Sequence, residues 1–138
     1  MALDIKKIGI IGSGQMGKGI AHVCAVAGFE VHIMDIDIDA LKTALPSIEK
    51  SMKRFVEKKE MSEEKMHSSI NRISTSDKIS AFKDCQLIIE AATEDEEVKK
   101  VILKDLCQVL NDEAIIASNT SSISITRLAA KTDRPGKV

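Results

Sequence analysis

The sequence predicts an α/β fold, a doubly wound, mostly parallel sheet with helices on both faces. Three observations predict it. Short apolar runs alternate along the chain with longer stretches of helical periodicity, the signature of strand–helix–strand units. The strongest run, CQLIIEAA at 85–92, is nearly all apolar, as a strand covered on both faces must be. Glycines cluster where the first apolar run, KIGII, gives way to the first helical stretch.

The elements follow in order. KIGII, residues 7–11, is a strand that ends at Gly12. A helix over Gln15–Ala27 is closed by Gly28, with Met16, Ile20, Val23 and Ala27 as its inward stripe. FEVHIMD, 29–35, alternates and stops at Asp35. From Ile38 a long helix carries Leu41, Leu45, Ile48, Met52 and Phe55, and Pro46 inside it predicts a kink. MSEEKMHSSI, 61–70, starts another helix, with Ser62 as N-cap and Glu63 and Glu64 in its first turn. RIST, 72–75, is a short strand and CQLIIEAA a longer one. A charged helix over 94–110 turns Val98, Ile102, Leu106, Val109 and Leu110 inward. EAIIAS, 113–118, is the last full strand, followed by a polar run and a short helix, SITRLAAKT. DRPG is a turn, and Lys137-Val138 read as the start of a further strand, so the expected domain, residues 1–138, ends inside a longer polypeptide.

Composition excludes several classes. A length of 138 residues suits one domain with a real core. The 43% apolar and 30% charged content fits a soluble globular chain. A net charge of -1 offers nothing to nucleic acid or a membrane surface, and no apolar run reaches bilayer length. With no Trp, no Tyr and three Phe, stacking platforms for single-stranded nucleic acid are missing. Cys24, Cys85 and Cys107 are widely spaced among apolar neighbours, so they read as reduced core thiols rather than a disulfide or metal set. MALDIKK is no signal segment, and a cytoplasmic location is expected.

Gly12-Ser13-Gly14-Gln15-Met16-Gly17 has the spacing G-x-G-x-x-G. Alone it is weak. Here it follows a strand, opens a helix and precedes a second strand ending in an acid, the context of a Rossmann-type dinucleotide site. Gly12 permits the tight turn, Gly14 lets the backbone approach a pyrophosphate, and Gly17 lets helix and strand pack closely. The alternative is an ordinary strand-to-helix turn. Asp35 lies 18 residues beyond Gly17, where a carboxylate accepts from the adenosine ribose hydroxyls and repels a 2′-phosphate. Asp37 and Asp39 add negative charge, with Lys42 the nearest cation, so NAD is favoured over NADP. Asp35 can also cap the next helix, and for Asp37 capping is the better reading.

ASNTSSIS, 117–124, is the other departure from pattern. Small hydroxyl and amide groups begin where a buried strand ends, at the edge where open parallel sheets bind ligands. They suit a nicotinamide ribose and a substrate oxygen, supplying hydrogen bonds without bulk or net charge. Ser122 or Thr120 can instead cap the following helix.

KIGIIGSGQMGKGIAHVCAVAGFEVHIMD, LIIEAATED and above all ASNTSSISIT together resemble the NAD-binding domain of 3-hydroxyacyl-CoA dehydrogenases, over nearly the whole chain. The resemblance is strongest to short-chain bacterial members. It implies an acyl-CoA substrate, 3-hydroxybutyryl-CoA or acetoacetyl-CoA, and hydride transfer between C3 of the acyl group and the nicotinamide. It also implies cofactor contacts at Glu94, Lys99, Asn119 and Ser121, with Ser121 beside the substrate oxygen as well, and coenzyme A contacts at Ser51 and Lys58. Composition alone reads Glu94 and Lys99 as a solvated helix face, and Ser51 and Lys58, with Arg54, as part of a solvated basic strip. Pro46 departs from the family's unbroken helix. The family's catalytic histidine, in a G-x-H-F-x-N-P segment, and its partner glutamate follow the last residue here. His22, His32 and His67 do not match that motif. The helical domain that closes the cleft and makes the family's oligomer would follow too, leaving residues 1–138 inactive alone. Two alternatives remain: the NAD domain of a β-hydroxyacid dehydrogenase, whose loop also reads G-x-G-x-M-G, and a non-catalytic NAD-binding module.

Overall fold

The computed structural model describes residues 4–91 and 95–118. Its elements are β1 (Lys7–Ile11), α1 (Gln15–Val26), β2 (Glu30–Met34), α2 (Ile38–Glu57), α3 (Glu63–Asn71) and β3 (Ile73–Ser76). A 3-10 turn (Ile79–Phe82), β4 (Leu87–Glu90), α4 (Glu96–Val109) and β5 (Ile115–Ser118) complete them. The strands form one sheet in the order β3-β2-β1-β4-β5, and every pairing is parallel. The chain winds outward from β1 in both directions, so β1 and β4 meet at the point where the winding reverses.

The two faces carry separate cores. On one, Ile8, Ile10, Val31 and Ile33 of the sheet pack against Ala21, Ala25, Ile48, Met52 and Met66 of α1, α2 and α3. On the other, Ile11, Ile88 and Ile116 pack against Phe82 of the 3-10 turn and Leu103, Leu106 and Leu110 of α4. Phe82 fits because Gly9 has no side chain; a Cβ there would stand 2.7 Å from the Phe82 ring. Cys85 is buried in this second core, and burial pushes its thiol up to about 11. It stays a neutral packing group, as expected.

Two expectations need correction. The inward face of α1 is Gly17, Ala21 and Ala25, whereas Met16 and Val23 are 55% and 68% exposed. The cause is distance: α1 lies so close to the loop before it that a Cβ on Gly17 would stand 1.9 Å from the Gly12 carbonyl oxygen. Only small residues fit beneath such a helix. The inward face of α4 is Lys99, Leu103, Leu106 and Leu110, and Val98 is 46% exposed. A lysine occupies the first position of that stripe, so apolar spacing alone sets the face about one residue off. Pro46 lies inside α2, which runs from Ile38 to Glu57 with Ala44, Ile48 and Met52 buried.

Candidate cofactor site

The carboxyl ends of β1, β2 and β4 and the start of α1 converge on one edge of the sheet. Gly12 turns the chain out of β1 with φ 109°, a left-handed value that favours glycine. Its N–H donates to the Met34 carbonyl at 2.8 Å, tying the turn to the end of β2. Gly14 is different. Its φ of -69° is open to any residue, and an added Cβ would meet nothing within 4 Å. No contact among the described residues accounts for a glycine there, but a ligand lying against the backbone would.

The start of α1 supports the same reading. α2, α3 and α4 each begin under a side-chain cap. Asp37 accepts from Asp39 and Ala40 N–H at 3.1 and 3.2 Å, Ser62 from Lys65 N–H at 3.1 Å, and Asp95 from Glu97 and Val98 N–H at 2.9 and 3.2 Å. α1 has neither a side-chain cap nor an acid in its first turn. Its leading N–H groups and the positive end of its dipole are left to an anion.

Asp35 stands beside this loop, and its oxygens are partly committed. Oδ2 accepts from Ser13 N–H at 2.8 Å and from the Ser13 hydroxyl at 2.7 Å, and Oδ1 accepts from Asp37 N–H at 2.9 Å. Burial pushes this carboxyl up, but the Asp37 and Ser13 donors outweigh it and hold it below the usual carboxylate range. It is charged at neutral pH. The Ser13 hydroxyl occupies a place on this carboxylate that a ribose hydroxyl can take. Next to Asp35 a cleft of about 760 Å³ runs past Gly12, Ile36, Val98, Val101 and Ile102. Ile36 is 84% and Val101 60% exposed, an apolar wall suited to the flat face of a base.

Lys99 is not on a solvated face. It and Glu90 are wholly buried and paired, and the Ser118 hydroxyl donates to the same Glu90 oxygen at 3.1 Å. Glu90 was not among the residues predicted from sequence to form the site, and Ser118 entered only as the first residue of the polar run. The available signal was an acid closing an otherwise apolar strand, LIIE. Gln15 and Met16 start α1 in the open, next to Gly14. Toward the C-terminal end of α2, beyond Pro46, Ser51, Arg54, Phe55 and Lys58 share a depression of about 210 Å³. Glu94, Asn119 and Ser121 lie outside the described residues, as do Thr120, Ser122 and the expected last helix.

Comparison with known proteins agrees with this geometry. A family described as "3-hydroxyacyl-CoA dehydrogenase, NAD binding domain" matches residues 7–138. A 3-hydroxybutyryl-CoA dehydrogenase of Bradyrhizobium diazoefficiens is 53% identical over 98% of this chain and 46% of its own length. The solved (S)-3-hydroxybutyryl-CoA dehydrogenase of Ralstonia eutropha superposes with a TM-score of 0.93 at 40% identity, over 97% of this chain and 47% of that one. The Escherichia coli 3-hydroxybutyryl-CoA dehydrogenase superposes at 0.95 and 36% identity, over 99% of this chain and 29% of that one. The chain thus spans about half the length or less of these relatives. With its glycine turn, uncapped first helix and acid-terminated second strand, it belongs to the NAD-binding domain family of the 3-hydroxyacyl-CoA dehydrogenases.

Proposed function

We propose that the protein carrying this chain is an NAD-dependent dehydrogenase of short-chain 3-hydroxyacyl-CoA, moving hydride between C3 of 3-hydroxybutyryl-CoA and C4 of the nicotinamide. The observation that carries the reading is the uncapped start of α1, with open space at Gly14 and the Asp35 carboxylate beside it. The loop Gly12–Gly17 holds the pyrophosphate. Asp35 takes the adenosine ribose, and Ile36, Val98, Val101 and Ile102 flank the base. Glu94, Lys99, Asn119 and Ser121 serve the nicotinamide half, and Ser121 also meets the substrate oxygen. Ser51 and Lys58, with Arg54, face the phosphates of coenzyme A. NAD, when bound, supplies the hydride acceptor.

The substrate hydroxyl proton needs a base. His32 is buried between the Ser74 and Ser76 hydroxyls at 2.7 and 3.0 Å, and His22 packs edge-on against Phe55. Neither lines the cleft, and His67 lies on the exposed side of α3. Following what the family resemblance implies, we assign the base to a histidine–glutamate pair following residue 138, in a helical domain that also makes a homo-oligomer in the cytoplasm. Among the described residues no helix is long and apolar enough to cross a membrane.

The test is NADH absorbance with acetoacetyl-CoA. The full-length protein should consume NADH, while residues 1–138 alone should be slower by about 100- to 10,000-fold, the usual cost of a missing general base. Robust turnover by residues 1–138 would place the base in this half. Activity on a free 3-hydroxy acid instead of the thioester would favour the β-hydroxyacid dehydrogenase alternative.

A further inference from the structure

The cleft beside Asp35 is lined by more acid than Asp35 alone. Asp77, which follows β3, and Glu97 and Asp105 of α4 line it too, and no lysine, arginine or histidine is among the described residues that do. Asp77 starts close to Asp35, because the Asp35 N–H donates to the Ser76 carbonyl at 3.3 Å. Glu97, Val101 and Asp105 are spaced at one turn each, so they share one face of α4. Asp77, Glu97 and Asp105 are all exposed.

The fold has little use for these charges. Glu97 pairs with Lys100 at 3.3 Å, but among the described residues Asp77 and Asp105 have no ion-pair partner. Lys78 and Lys104 stand beside them in sequence and do not line the cleft. Like charges gathered around one cleft repel one another, which costs stability rather than adding it. Between them the wall is apolar, with Ile36, Val101 and Ile102, and low-dielectric walls focus the field of the charges at their rim.

We propose that Asp77 and Asp105 set cofactor specificity together with Asp35, by making this cleft repel the 2′-phosphate of NADP. That role rests on the reading of the cleft as the adenosine site. The pyrophosphate, common to both cofactors, meets the open start of α1. The 2′-phosphate adds about 1.5 to 2 negative charges at neutral pH and meets no cation among the described residues of the cleft. Rejection is then a property of the whole cleft, of which Asp35 supplies one part.

The test uses the full-length protein in about 0.1 M salt, where charges more than about 10 Å apart are largely screened. Calorimetry gives the affinities for NADH and NADPH, and their ratio is the readout, because contacts common to both cofactors cancel in it. Asp77→Asn with Asp105→Asn should lower the preference for NADH by about three- to tenfold, the scale of two exposed charge interactions, chiefly through tighter NADPH binding. Glu30→Gln with Asp84→Asn removes the same charge at the start of β2 and just before β4. These lie at the opposite end of the parallel sheet, about 15 Å away, and the ratio should stay within about twofold. Asp35→Ala should narrow the preference without abolishing it. An unchanged ratio in the Asp77 and Asp105 variant, an equal fall in the Glu30 and Asp84 variant, or loss of all preference in Asp35→Ala alone would overturn the proposal. A parent that prefers NADH, with no change on neutralising Asp77 and Asp105, keeps the adenosine reading and loses this inference. A parent that binds neither cofactor loses both.

Discussion

The two halves of the carboxyl edge treat charge in opposite ways. At β1 and β2, the start of α1 is left without a side-chain cap, and Asp35 is charged and partly exposed. At β4 and β5, Glu90 and Lys99 are withdrawn from water and paired, and the Ser118 hydroxyl donates to Glu90 as well. Open polarity can be spent on a ligand directly. Closed polarity holds the backbone around it. One half is therefore expected to show its defects in binding, and the other in folding or in geometry.

The largest effect should come from breaking the closed half on one side. Glu90→Leu alone strands the buried Lys99 ammonium and should destabilise the fold by about 3–5 kcal/mol, whereas adding Lys99→Met should recover most of it. Urea unfolding of the two forms measures this. Equal stability would mean that water reaches Lys99 and the half is not closed. Next, Asp35→Ala should cost about 1.5–3 kcal/mol in NADH affinity, the scale of hydrogen bonds to a charged group. Calorimetry reads the affinity, and circular dichroism should show the fold retained. An unchanged affinity would reduce Asp35 to a tie between Ser13 and Asp37. The smallest change in stability belongs to Gly14→Ala, within about 1 kcal/mol, since φ is ordinary and the new methyl meets no protein atom. Its NADH affinity should nevertheless fall. Retained affinity would show that the space at Gly14 is not where a pyrophosphate lies.

The same contrast explains what could be read in advance. β1 was legible to the residue, and Ser62 was legible as a cap, because both depend on local pattern. The turn at Gly12 was legible because a strand-to-helix turn of that spacing needs a glycine at its first position. The faces of α1 and α4 were not. In α1 the decisive quantity is the approach of helix to loop, which selects Gly17, Ala21 and Ala25 over the larger Met16 and Val23. In α4 a lysine takes a core position because a glutamate from another strand meets it there. Such a pair spans nine residues of sequence and two elements, and apolar periodicity records neither partner. The polar run was legible as a departure from pattern, but Ser118, its first residue, was grouped with the ligand-facing side chains although it points into the sheet's own network.

Most of this reading depends on what occupies the open half. Titrating the chain with NADH and with NADPH under one condition asks that question. The charged Asp35, with Asp37 and Asp39 following it, should leave NADH clearly the tighter ligand, and Asp35→Ala should narrow the gap. Equal affinity for the two, or tighter binding of NADPH, would contradict the assignment of this edge to the unphosphorylated adenosine ribose.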